Sequence, residues 1–384
     1  MKMNILQVMG CTSDQYSSME IYLVKKAAIL KRRGHSFYVV YENIPKRREF
    51  RDDFKKNGGE VFSLKLNGIF SVNFFKGISK IIRERKIDLI HTYFTPTCHF
   101  LNFYLRVIGF KCVVRTAANL PLLKRSKKKR NAYLRTWLSI RHRFLSSLVR
   151  KIICRSEGVK DEYTKLGVSS QKLVVIPGGV EIEKFIFSKA ARDAKRREYG
   201  LDDDVLALGA SSRLVPVKRI DFLIKVFKGL RQKYEDIRLL IAGDGPQCKC
   251  LVQLTEDLGL GDSVIFLGHQ NEISDFYSAL DIFCLPSLAE GMSNSLLEAM
   301  STRLPVIASD IPSNREVVDE GKGGHLISFK EESEFERAVK NLRDRETRKK
   351  MGEYNREKVV KRFTLDSRIH KELEVYEEVF ERSR

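Results

Sequence analysis

Short apolar runs alternate with longer stretches whose apolar positions recur every three or four residues, from one end of the chain to the other. In the first half this spacing predicts strands at Asn4–Met9, Ser36–Tyr41, Glu60–Leu64, Asp88–His91, Cys112–Thr116, Lys151–Cys154 and Lys172–Ile176. Helices are predicted at Met19–Arg33, Phe74–Arg85 and Arg130–Val149. After Gly178 and Gly179 the pattern yields to a polar, charged segment from Glu181 to Asp204, and then it restarts. Strands follow at Leu206–Ala210, Arg238–Ala242, Val264–Leu267, Ile282–Leu285 and Val306–Ala308, with helices at Asp221–Lys233, Gln247–Leu258, Ile273–Ala279 and Ser293–Met300. A final helix, Leu365–Arg384, carries Leu373, Tyr376 and Phe380 at helical spacing. Such alternation implies parallel βαβ units. We expect an α/β fold of two Rossmann-like, doubly wound domains, residues 1–182 and 183–364, with ligands held at the carboxyl ends of the strands in a crevice between them.

Composition excludes several classes. Hydrophobic residues at 43% rule out a disordered chain. No apolar run reaches the roughly 18–20 residues of a membrane-spanning helix. The N-terminus has no long apolar segment of a secretory signal, so the cell interior is expected. Seven isolated cysteines form no C-x-x-C pair, and the seven histidines show no H-E-x-x-H spacing, so no metal site is expected. Charge changes the picture most. The net charge is +21, and Leu89–Ser156 holds fifteen basic residues and no acidic one. A field of that size attracts anionic partners such as lipid head groups, nucleic acid or phosphorylated substrates.

The chain lacks a G-x-G-x-x-G after its first strand and a Walker A run, so a nicotinamide dehydrogenase is disfavoured. Phosphate-handling signals lie in the second half. Arg213 and Lys218 sit in Ser211–Lys218, between a strand and a helix, where a diphosphate would meet a helix N-terminus. Gly243 and Gly245 flank Asp244 in a glycine turn closed by Pro246. In the run Pro286–Met300, Glu290 precedes a helix that begins near Ser293 or Asn294, and Glu298 lies about one and a half turns inside it. Phosphate would repel carboxylates there, so both fit as acceptors for sugar hydroxyls. Service to the helix dipole fits Glu290 but not Glu298.

These residues resemble the donor domain of retaining, GT-B-fold glycosyltransferases of family 4 (glycosyl transferases group 1). From Gly209 to Ile327 the parts stand in family order, and the glutamate pair is the most specific. Weaker landmarks lie upstream, including Arg33–Phe37, Asp88–His91, Ile152–Glu157 and Ile176–Val180. The resemblance implies that residues 1–182 bind the acceptor, with helix 365–384 returning to pack on them, and that 183–364 bind a UDP- or GDP-type sugar. It also implies that Arg213 and Lys218 neutralise the leaving diphosphate, that Glu298 holds the ribose, and that Glu290 orients the donor sugar. The backbone of Gly291, Met292, Ser293, Asn294 and Ser295 would contact sugar and phosphate, with Gly243 and Gly245 nearby. Neither cofactor nor metal is implied, and the acceptor would be a saccharide, carried on lipid, in cell-surface polysaccharide, lipopolysaccharide or glycolipid synthesis.

Three departures stand out. Ser17 and Ser18 replace the family's glycine pair, Arg219 replaces the glycine after the motif lysine, and Asn119 ends a strand loop that lacks the usual histidine. Ser17, Ser18, Asn119 and His91 are the candidates for the acceptor side, His91 also as a catalytic residue. In the basic window, Lys127, Lys128, Lys129 and Arg130 precede an amphipathic stretch, Asn131–Lys151. Its apolar positions are Tyr133, Leu134, Trp137, Leu138, Ile140, Phe144, Leu145, Leu148 and Val149, and core packing is expected for most of them. A basic rim of this kind suits peripheral attachment to the inner face of an anionic membrane. The alternative is a basic nucleic-acid- or membrane-binding protein without transferase activity, but no nucleic-acid-binding module is visible.

Overall fold

The computed structural model describes residues 2–9, 18–43, 45, 47–65, 71–93, 96–117, 132–328 and 331–383. Its contacts divide the chain into one unit of Met1–Pro177 with Leu365–Arg384 and a second of Gly178–Thr364. In the first, the chain runs β1 (Asn4–Met9), α1 (Ser18–Arg32), β2 (Ser36–Tyr41), α2 (Arg48–Lys56), β3 (Gly59–Ser63), α3 (Val72–Glu84) and β4 (Leu89–Tyr93). It continues with α4 (Pro96–Val107), β5 (Val113–Ala117), α5 (Ala132–Ser147), β6 (Lys151–Cys154), α6 (Glu157–Lys165) and β7 (Leu173–Val175). All strands pair in parallel, in the order β3-β2-β1-β4-β5-β6-β7.

The second unit begins with α7 (Lys189–Glu198), β8 (Leu206–Ser211), α8 (Ile220–Lys233), β9 (Ile237–Ala242), α9 (Cys248–Asp257) and β10 (Val264–Gly268). Then come α10 (Ile273–Ala279), β11 (Ile282–Leu285), α11 (Asn294–Ser301), β12 (Val306–Ser309), α12 (Pro312–Arg315), β13 (Gly324–Ile327), α13 (Glu332–Leu342) and α14 (Arg345–Arg362). Its parallel sheet has the order β10-β9-β8-β11-β12-β13. The strand order thus reverses once in each sheet, between β1 and β4 and between β8 and β11, the place where open parallel sheets take their ligands. Central strands such as Leu89–Tyr93 and Val306–Ser309 are buried along their whole length, as parallel strands covered on both faces must be. Among the described residues no helix is long and apolar enough to cross a membrane.

Two expectations need correction. The segment Glu181–Asp204 is part of the second core and contains α7, and the division falls at Pro177/Gly178 where the sequence reading put it at 182/183. The reason is local. The Val180 amide donates to Phe363 O at 2.9 Å, and Phe185 and Tyr199 pack with Phe276 and Tyr277. The buried face of α7 holds Arg196, whose guanidinium donates to Ala279 O (3.2 Å), Asp202 O (2.5 Å), Val205 O (2.7 Å) and Asp281 (3.2 Å). A helix anchored by an arginine shows no apolar stripe in sequence. The second correction concerns α5: Leu138 and Leu145 are buried, but Trp137, Ile140 and Phe144 face outward. Apolar positions surround this helix more widely than the sheet beneath can cover.

The last helix, α15 (Leu365–Glu381), packs on the first sheet, where Leu365, Ile369, Leu373 and Tyr376 join a core with Ile5, Leu23 and Leu89. It also brings a buried charge. Glu372, 1% exposed, accepts from Lys26 Nζ at 2.9 Å, from Arg368 Nε at 3.0 Å and from the Tyr22 hydroxyl. Lys26 further donates to Gln7 (2.9 Å), Tyr22 (2.8 Å) and Tyr376 (2.6 Å). Burial would raise the Glu372 carboxyl, but Lys26 and Arg368 together hold it well below the usual carboxylate range. Burial pushes the Lys26 ammonium down to about 8, against the pull of Glu372, so it stays protonated at neutral pH.

Glu372→Gln leaves two buried cations without their counter-charge, and should cost about 3–5 kcal/mol in urea unfolding at pH 7. Because the folded carboxyl titrates below its unfolded value, its contribution is complete above about pH 4–5 and is lost as pH falls further. The gap between wild type and variant should therefore narrow in acid.

Candidate active site

The second sheet's switch point gathers the charged residues singled out by sequence. β8 and β11 are neighbours, with Leu208 opposite Ile282 and Gly209 opposite Phe283, so the segments that leave their carboxyl ends start side by side. The Leu288 amide donates to Val217 O at 2.8 Å and ties the two loops together. Across that tie, Lys218 Nζ donates to Glu290 Oε1 at 2.5 Å, with the two side chains 20% and 11% exposed. The pair is reachable from solvent yet largely desolvated, a setting in which a second anion would compete strongly for the ammonium. Arg213 lies exposed on the same β8 loop.

Ser293 is the N-cap of α11, its Oγ accepting from the Leu296 amide at 3.4 Å and lying 3.0 Å from Ser295 Oγ. Helix geometry leaves the amides of Asn294 and Ser295 without an intrahelical acceptor. Glu298, nearly buried in the same helix, accepts from the Tyr277 hydroxyl at 2.8 Å, and Tyr277 in turn lies 3.1 Å from Ser211 Oγ. Burial first, then the charge of Glu298, raises the Tyr277 hydroxyl well above its ordinary value, so it remains a donor. Sequence reading missed Tyr277 and Ser211. Their one linear signal is generic, since a buried tyrosine needs a partner for its hydroxyl.

Gly243 and Gly245 have a packing reason for their identity. A Cβ at Gly243 (φ +129°) would stand 2.0 Å from Ser212 O, and one at Gly245 would stand 2.5 Å from Leu214 O. They let the β9 turn press against the β8 loop that carries Arg213. Arg219, at the position where the resemblance implies glycine, is left-handed at φ 53°. That conformation explains the family's glycine, and here the guanidinium stacks 4.2 Å from the Phe222 ring centre.

Of the acceptor-side candidates on the first unit, His91 and Ser18 are among the described residues. His91 is fully enclosed, with Nδ1 on the Tyr376 hydroxyl and Nε2 2.8 Å from Thr116 Oγ1. Both ring nitrogens are used by the protein, and burial, then Lys26, pushes the imidazole well below its ordinary pKa. We therefore correct its role from catalytic or acceptor-side residue to neutral member of the buried polar cluster. Ser18 opens α1, whereas Ser17, Asn119, Lys127, Lys128, Lys129 and Arg130 lie outside the described residues. Among the described residues no three His, Cys, Asp or Glu side chains cluster as metal ligands.

The chain matches two families, Glycosyltransferase Family 4 over residues 19–184 and Glycosyl transferases group 1 over 191–358. It is 30% identical over 301 residues, 77% of either chain, to the UDP-Gal:alpha-D-GlcNAc-diphosphoundecaprenol alpha-1,3-galactosyltransferase of Escherichia coli. It is 28% identical over 270 residues to the alpha-monoglucosyldiacylglycerol synthase of Streptococcus pneumoniae, 69% of this chain and 54% of that protein. In fold it resembles the crystal structure of Anabaena HepE in complex with UDP-glucose, with TM-score 0.81, 19% identity, and coverage of 98% of this chain and 100% of that one.

The left-handed backbone at Arg219 costs about 1–2 kcal/mol, offset by about 0.5–1 kcal/mol from the stacked guanidinium. Arg219→Gly should therefore stay within about 1 kcal/mol of wild type in chemical denaturation, while Arg219→Val loses more than that.

Proposed function

The chain belongs to the family 4, group 1 glycosyltransferases, and from that premise we propose that it moves a hexose-type sugar from a nucleoside diphosphate, UDP or GDP, to a lipid-linked saccharide. The anomeric configuration is retained, no metal takes part, and the product enters cell-surface polysaccharide or glycolipid. The observation that carries this reading is the Lys218–Glu290 pair at the β8/β11 switch point, beside the capped N-terminus of α11.

Each residue then has a task. As the bond from anomeric carbon to phosphate oxygen breaks, the diphosphate gains charge, and Arg213, Lys218 and the Asn294 and Ser295 amides answer it. Cations and aligned amides supply there what a divalent ion supplies elsewhere. Glu290 accepts from a donor-sugar hydroxyl while Lys218, its partner in the free protein, turns to the phosphate. Glu298, oriented by Tyr277, receives the ribose hydroxyls. With retention, the leaving phosphate takes the acceptor's proton on the face it vacates, so no separate protein base is required. The acceptor assignment draws on the relatives, one named for a diphosphoundecaprenol-linked sugar and one for a diacylglycerol lipid. Attachment to the inner face of the membrane through the basic window would bring such an acceptor within reach.

Glu298→Ala should weaken donor binding by about tenfold or more, the worth of a hydrogen bond to a charged group, read as a lost thermal shift with UDP- or GDP-sugars. Lys218→Ala should instead lower kcat by about 10²–10³-fold, as removal of one transition-state donor does. Loss of activity in EDTA, or an inverted product, would refute the mechanism.

A further inference from the structure

The first unit carries a second basic feature, at the opposite end of its sheet from the switch point. A cavity of about 330 Å³ opens at the amino ends of β5, β6 and β7, where α4, α5 and α15 terminate. Arg106, Lys111, Arg150, Lys151, Lys172 and Arg382 line it. Lys151 and Arg382 are both paired with Glu378 at 3.0 Å, and Lys172 donates to the carbonyls of Ser146 (2.8 Å) and Val149 (2.9 Å). Among the described residues, Arg106, Lys111 and Arg150 have no carboxylate within ion-pair distance. Burial lowers the Lys172 ammonium, and Arg150 and Arg106 lower it further, so the cavity already strains under positive charge.

Beside this cavity lies an uncovered apolar face. Arg106 belongs to α4, whose Phe103 and Val107, with Ile108 just beyond its end, are exposed, and Ser147 ends α5, whose Phe144, Ile140 and Trp137 are exposed about one, two and three turns earlier. The Phe103 and Phe144 rings lie 6.5 Å apart, which joins the two helix faces, and the Arg141 guanidinium sits 5.5 Å over the Trp137 ring. Six of the eleven large apolar side chains exposed among the described residues fall in this one patch. Apolar rings rimmed by cations, in a window without a single acid, complement a surface that is anionic at its rim and oily beneath.

We propose that the α4/α5 face inserts into an anionic leaflet, with Trp137, Ile140, Phe144 and Phe103 among the acyl chains and a lipid phosphate in the adjoining cavity of Arg106, Lys111 and Arg150. This rests on the membrane attachment proposed above and deepens it, replacing attachment by charge alone with insertion and a headgroup site.

Trp137 is the chain's sole tryptophan, so its emission reports on the face directly. Vesicles of phosphatidylcholine with phosphatidylglycerol should shift that emission to the blue, and brominated acyl chains should quench it, while pure phosphatidylcholine does neither. Phe103→Ser with Phe144→Ser should retain flotation at low salt and lose it at high salt, where wild type persists. Arg106→Gln with Arg150→Gln should lower partitioning onto anionic vesicles by about tenfold. Flotation with unshifted Trp137 emission would overturn insertion and leave charge-based attachment standing, whereas no flotation at any salt would overturn both. Emission already blue and concentration-dependent without vesicles would assign the face to a second copy of the chain. A rise in Tm with inorganic phosphate, absent in the arginine variant and without vesicle binding, would make the cavity a site for free phosphate instead.

Discussion

A parallel strand covered on both faces can present chemistry only where it ends. Both sheets obey that constraint, and the placement of the candidate site in the second unit follows from it. β8 and β11 are adjacent in the sheet but far apart in sequence, and the segments that leave their carboxyl ends are tied by the Leu288 amide on Val217 O. Charged side chains that would be intolerable along Ile282–Leu285 become usable a few residues later, where Lys218 and Glu290 meet. Gly243 and Gly245 extend the same logic, because removing two side chains lets a third strand end come close without filling the space.

The ion pairs divide by how much water they keep. Lys26–Glu372 and Arg196–Asp281 are sealed, and each buried charge meets several further donors or acceptors, the condition under which a low-dielectric interior tolerates it. Such pairs specify packing. Lys218–Glu290 is different, since it is partly wet and has few other partners, so it can exchange one partner for another. The same chemistry serves architecture in one place and, on the function proposed above, turnover in another, and desolvation separates the two.

The strands other than β13 were legible because a doubly covered strand reads as an unbroken apolar run, and most predicted ends fall within a residue or two of those observed. Helices anchored by charge were not. α7 is held by Arg196 and carries no apolar stripe, and α2 offers only two apolar positions, Phe50 and Phe54, among charged residues. In the site, Lys218, Glu290 and Glu298 could be read because strand, loop and helix start are consecutive in sequence. Tyr277 and Ser211 could not, for they reach Glu298 from separate segments. His91 was misplaced for a related reason: its surroundings are supplied by Tyr376, 285 positions away, which no local pattern announces.

That distance bears on biosynthesis. Lys26 lies on α1, which leaves the ribosome long before α15, and its counter-charge Glu372 is 346 positions further along the chain. Until α15 emerges, the nascent first unit holds an ammonium in a nearly apolar interior and lacks the side chains of Leu365, Ile369 and Tyr376 that close its core. The second unit, continuous from Gly178 to Thr364, has no such debt and can finish first. The order of completion therefore runs against the order of synthesis, and a chain released early exposes an open core with an uncompensated charge, a substrate for chaperones and proteases rather than a working fragment.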